Sequence, residues 1–117
     1  MSYHIYRVGE GCKWMDDMQE AVDHFKALPS DKKYTAIGIS EGGYAVDVVI
    51  KGEYAGKGEL LCSRDIKQSI LFQEYPEKII KTLKALYEAV GVKEEHASQI
   101  IDDLTRIADE LDDLEEM

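Results

Sequence analysis

The sequence predicts one α+β domain: an antiparallel sheet of three to four strands, one covering helix and a C-terminal helical hairpin, in the order β-α-β-β-β-α-α. Three observations lead there. A chain of 117 residues is enough for one hydrophobic core and too short for two. Its first half alternates short β-rich runs with glycine turns, and its second half carries apolar residues at spacings of three and four. No repeat or linker-like stretch interrupts it, so residues 1–117 read as a single domain.

Residues 3–8 (YHIYRV) have the aromatic and β-branched composition of a strand and run into the punctuation Gly9-Glu10-Gly11. Residues 13–28 read as the covering helix, because Trp14, Met15, Met18, Val22, Phe25 and Leu28 fall on one helical face. Pro29 ends it. Residues 34–40 and 44–50 are β-rich and bracket Glu41-Gly42-Gly43, a hairpin signal. Residues 51–57 form a second turn, and residues 58–63 a third strand of that meander, with residues 3–8 as the fourth. Asp65 is placed to cap a short helix at 66–72. Pro76 suits the first turn of the next helix, Ile79, Ile80, Leu83, Leu86, Tyr87 and Val90 form its stripe, and Gly91 stops it. The last helix, about 94–114, aligns Ala97, Ile101, Leu104, Ala108 and Leu111, widened by Ile100, Ile107 and Leu114.

Composition narrows the function classes. With 44% hydrophobic and 32% charged residues the chain is globular in character. No apolar run approaches the roughly 18–20 residues of a membrane span, and residues 1–7 lack the order of a secretory signal, so a cytoplasmic protein with no membrane partner is expected. Cys12 and Cys62 show no Cys-x-x-Cys spacing and are expected to be reduced and partly buried. His4, His24 and His96 are scattered, and with two cysteines they make no zinc set.

Each motif that could carry catalysis has a plainer account. The Gly9-Glu10-Gly11 turn precedes a helix, as a phosphate loop would, but Trp14 stands where the third glycine belongs. Cys12 with His24 or His96 offers a thiol and a base without any spacing that positions them. Asp16, Asp17 and Glu20 suit the positive end of a helix dipole better than a metal. Asp47 is opposite in parity to Val46 and Val48 and is expected to face solvent. The expectation is a non-enzymatic protein with no catalytic residue, no metal and no cofactor.

Leu28-Pro29, the strand Tyr34-Thr35-Ala36-Ile37-Gly38-Ile39-Ser40, the glycine turn and Val46-Asp47-Val48-Val49 lie within residues 25–49. This segment resembles small accessory domains of large polyvalent proteins from conjugative elements and phages. The resemblance implies a mobile-element origin and brings no catalytic residues with it.

Charge supplies the functional expectation. The net charge is −10, yet residues 1–93 hold 13 Lys and Arg against 14 acids, whereas residues 94–117 hold only Arg106 against ten. Such a chain repels nucleic acid and anionic membranes, and its complement is a basic protein surface. Asp102, Asp109, Asp113 and Glu116 line up opposite the apolar stripe of the last helix, with Glu110 and Asp112 flanking them. Acids near a helix C-terminus oppose the dipole by roughly 0.3–1 kcal/mol each, so helix stability alone does not account for them. Counting all eight acids from Asp102 to Glu116, at about 1.5 Å per residue the helix carries one charge per roughly 2.6–3 Å, against one per about 1.7 Å in duplex DNA. Asp102, Asp109, Glu110, Asp112, Asp113 and Glu116 are therefore the expected partner surface. The expected partner is a host nucleic-acid-binding enzyme, inhibited through a mimic of a phosphate row; an anti-CRISPR-type inhibitor of a Cas9-like nuclease is the concrete case. The alternative is an assembly module that pairs or self-associates as a homodimer through its C-terminal hairpin.

Overall fold

A computed structural model describes residues 1–41, 43–56 and 58–115. Two β-hairpins share one sheet. Tyr3, Ile5 and Arg7 alternate with His4 and Tyr6 along β1 (Ser2–Arg7), which pairs antiparallel with β2 (Gly11–Met15) on one side and β3 (Thr35–Glu41) on the other. From β3 the chain turns into β4 (Tyr44–Lys51), and the short β5 (Leu61–Cys62) closes the far edge. Among the described residues the strand order is β2-β1-β3-β4-β5, antiparallel throughout.

The α+β class and the helical hairpin match the sequence expectation, and the start of the covering helix does not. Residues 11–15 form β2, and helix α1 spans only Met18–Ala27. Gly9 and Gly11 take φ of 84° and 86°, a left-handed turn that other residues resist, and it folds residues 11–15 back onto β1. Asp17 then caps α1, accepting a hydrogen bond from the Glu20 N–H at 2.9 Å. Asp16 and Asp17 thus precede the helix. Met15 points to the same core as Val22 and Phe25, which is why a strand residue fell into a helical spacing.

One face of the sheet carries the core. Ile5, Met15, Ile37, Ile39 and Val49 pack with Ala21, Val22 and Phe25 of α1. Burying such a set stabilises the fold by roughly 1.5–3 kcal/mol per large side chain. Lys51 reaches into this layer and donates to the carbonyls of Phe25 and Leu28, satisfying the C-terminal end of α1 where a positive charge is favoured. Arg7, also buried, holds Glu10 at 2.8 Å and pairs with Asp31, fixing the loop before β3.

Chain order after β5 is a short helix α2 (Ile66–Ser69) with a 3-10 turn (Ile70–Phe72), then α3 (Pro76–Val90) and α4 (Glu94–Glu115). Pro76 opens α3, Gly91 ends it, and all six residues expected on its stripe are buried. Ile100, Ile101, Leu104 and Ala108 of α4 join the same core, and Ala97 and Ile107 pack on it. A β-bulge separates Ile37↔Val49 from Gly38↔Asp47, leaving the buried Val48 without a partner on β3, while its carbonyl accepts from the Ser63 N–H at 2.8 Å on the other side.

Candidate functional site

Two surfaces stand out, one expected from sequence and one not. On α4, Asp102, Asp109, Glu110, Asp112 and Asp113 are all exposed, and among the described residues none has an ion pair. Glu116 lies outside the described residues. The row is less isolated than a helical wheel implies. Asp102 borders a groove with Lys84 of α3, and Asp109 borders one with Lys81 and Lys84. Asp103 is set apart from the others: Lys67 of α2 pairs with it and holds its carboxyl below the ordinary value, with Arg106 adding a contact at 3.4 Å.

The seam that would serve a hairpin dimer is already occupied. Ile101, Leu104 and Ala108 are buried inside the chain's own core, and Ala97 and Leu111 are half-buried.

The unexpected surface is the sheet face turned away from α1. Register places His4, Tyr6, Cys12, Trp14, Gly38, Asp47, Ile50 and Leu61 on it. At its centre the His4 Nε2 lies 2.7 Å from Asp47 Oδ1, and the Tyr34 hydroxyl donates to Asp47 Oδ2. His4 is 4% exposed although it stands on the open face. Gly38 explains how: a Cβ there would lie 2.2 Å from His4 Cε1, so the imidazole rests directly on the bare backbone of β3. The Trp14 ring covers it, centroids 5.2 Å apart. Asp47 does point to the face opposite the core, as its parity implies, but it is not a solvated carboxylate. Its side chain is 27% exposed and bound on both oxygens. Burial favours the neutral acid, yet the hydrogen bonds from His4 and Tyr34 outweigh it and hold the carboxyl below its ordinary value.

Tyr34 responds in the opposite sense. Burial, its bond to Asp47 and the charges of Asp47 and Asp65 push its hydroxyl far above the ordinary phenol value, so it stays a donor. Tyr6 and Tyr54 meet its ring edge-on at 5.8 and 6.1 Å. Asp65 precedes α2 but makes no side-chain cap, contrary to the capping role expected for it. Asp65 instead helps line an open cleft of about 560 Å³ together with His4, Tyr6, Trp14 and Asp47.

Cys12 lies on this cleft and is exposed rather than partly buried; Cys62 is buried, and both are free thiols. Burial and the Asp47 charge raise the Cys12 thiol, the reverse of what activates a nucleophile. His24 is half-buried on α1 and His96 exposed on α4, neither lining the Cys12 cleft. Among the described residues no group of three His, Cys, Asp or Glu side chains is placed to hold a metal ion, and no helix is long and apolar enough to cross a membrane. No family model, curated protein or solved structure matches the chain.

Proposed function

We propose that this chain works by binding rather than by catalysis, and that its partner is the basic groove of a nucleic-acid-binding enzyme, which it inhibits. The observation that carries this is the row Asp102, Asp109, Glu110, Asp112 and Asp113, exposed on one helix without ion pairs among the described residues. Unpaired acids crowded toward a helix C-terminus are unfavourable for that helix, and a groove of Lys and Arg would turn the cost into attraction. A mobile-element protein acting on a host Cas9-like nuclease is the concrete form of the proposal, and the resemblance of residues 25–49 supports the origin alone. Pairing through the C-terminal hairpin is the weaker alternative, because its seam is spent inside the chain.

The test is DNA cleavage by such a nuclease with its guide, measured with and without the purified protein at low and high salt. Inhibition at low salt that fades as salt rises is expected. A variant carrying Asp102→Lys, Asp109→Lys, Asp112→Lys and Asp113→Lys should fold normally, since exposed changes shift stability by within about 0.5 kcal/mol. It should lose inhibition. Full inhibition by that variant at low salt would remove α4 as the partner surface.

A further inference from the structure

The open sheet face has chemistry of its own. The cleft is walled by Trp14 and Tyr6 and floored by His4, and its formal charges are the carboxylates of Asp47 and Asp65. Trp14 is 54% exposed, so its indole presents a free π-face. Asp65 is exposed, spends nothing on capping α2 and has no ion pair among the described residues. His4 lines the cleft, and its buried Nδ1 lacks a hydrogen-bond partner. A flat cation satisfies such a place best: it stacks on the indole and is hydrogen-bonded by the carboxylate at the rim.

We infer that this cleft receives an arginine side chain of a partner protein, its guanidinium laid on Trp14 and bonded to Asp65. The inference deepens the proposed function, since it rests on a basic protein partner and assigns that partner's anchoring residue. A protein rather than a small metabolite is the occupant, because the cleft is open and its rim is aromatic: Tyr6, Trp14 and Tyr44 are 37%, 54% and 44% exposed. An apolar, aromatic rim of this kind is what a protein interface covers, whereas small-ligand sites enclose most of their ligand. Stacked nucleobases are disfavoured by the two carboxylates beside the ring and by the net charge of −10.

Trp14 is the single tryptophan of the chain, so its fluorescence reports occupancy directly. The probes are N-acetyl-arginine amide, the neutral isostere N-acetyl-citrulline amide, a short peptide with arginine between two apolar residues, and a single-stranded oligonucleotide. Saturable response to the arginine amide is expected, with citrulline at least about tenfold weaker, the loss of one charge-assisted contact. Asp65→Asn should weaken the arginine amide by about tenfold as well. The peptide should bind at least about tenfold tighter than the amide, and Tyr6→Ala should erase much of that gain. Equal binding of arginine and citrulline, a peptide no tighter than the amide, or saturation by the oligonucleotide would each overturn the inference. The α4 four-lysine variant keeps the two claims separate. It should retain the arginine response even if it loses the nuclease, and loss of nuclease inhibition with an empty cleft would sink this inference alone.

Discussion

Gly38→Ala tests whether the His4 imidazole rests on the β3 backbone, and the structure sets the size of the effect. A methyl at position 38 would lie 2.2 Å from His4 Cε1, 2.3 Å from His4 Nε2 and 2.3 Å from the Val46 carbonyl oxygen. Ordinary carbon contacts are about 3.5–4.0 Å, so every one of these must lengthen by more than an ångström. The imidazole can swing, but doing so breaks its 2.7 Å bond to Asp47 and its contact with Trp14. The Val46 carbonyl belongs to β4, paired with β3 through Ile39↔Val46, and moves only with the strand. Overpacking costs about 1–3 kcal/mol and a lost hydrogen bond to a charged group about 1.5–3. The variant should therefore lose about 3–5 kcal/mol in a urea titration followed by circular dichroism, a large share of the roughly 5–15 kcal/mol of a typical domain. Native Trp14 fluorescence should shift with it. His4→Ala in the same background relieves the ring clash but not the carbonyl clash, so the double variant should be less destabilised than the two single losses combined. A loss under about 1 kcal/mol, or strict additivity, would refute the placement of the ring over Gly38.

Three further outcomes follow from named groups. Phe25→Ala removes a side chain only 1% exposed between α1 and the sheet and should cost about 3–5 kcal/mol in denaturant; near-wild-type stability would take Phe25 out of the core. Asp47→Asn should cost about 1.5–3 kcal/mol at neutral pH. Because the folded Asp47 carboxyl lies below its ordinary value of 3.8, its contribution is present above that value and is lost as pH falls through the folded one. The gap between wild type and Asp47→Asn should thus narrow in acid, and a gap constant between neutral and strongly acid pH would contradict the network. Cys12 should react with a thiol reagent in the native protein and Cys62 only after unfolding; equal native rates would contradict the difference in burial.

The elements marked by strong local chemistry were readable. Glu41-Gly42-Gly43 between two β-rich runs gave the β3–β4 hairpin, and Pro76, Gly91 and a six-residue stripe gave α3. Strand β2 was missed because five residues are too few for a period to be distinctive, and Met15 happens to share the core with Val22. A signal for the true helix start was present: Asp17-Met18-Gln19-Glu20 is a cap followed by an acid at its third position, and the Glu20 N–H bond to Asp17 realises it. The acid row on α4 was readable as charge, but not the grooves through which Lys81 and Lys84 approach Asp102 and Asp109. The open-face site was hidden for a different reason. His4 and Asp47 are 43 positions apart, and only the register of β1 on β3 and β3 on β4 joins them. An acid in the middle of an apolar strand was the visible clue, and strand parity alone cannot tell a solvated carboxylate from one held by two donors.

Helix α2 connects the two anionic surfaces and suggests how they divide the work in the proposed complex. Asp65 at its start lines the cleft, and Lys67, two residues along, is held by Asp103 of α4. That pair takes one acid out of the α4 row and ties α2 to α4. The remaining α4 acids are exposed, so their attraction acts at range, speeds encounter with a basic surface and is screened by salt. Asp47 is half-buried and hydrogen-bonded, and a cation beside it and against Trp14 would be screened far less. The α4 row would then govern chiefly the association rate and its salt dependence, while the cleft would govern the dissociation rate and the choice of partner. Charge reversal on α4 and Asp65→Asn should accordingly leave different kinetic signatures on one and the same complex, the first in association and the second in dissociation.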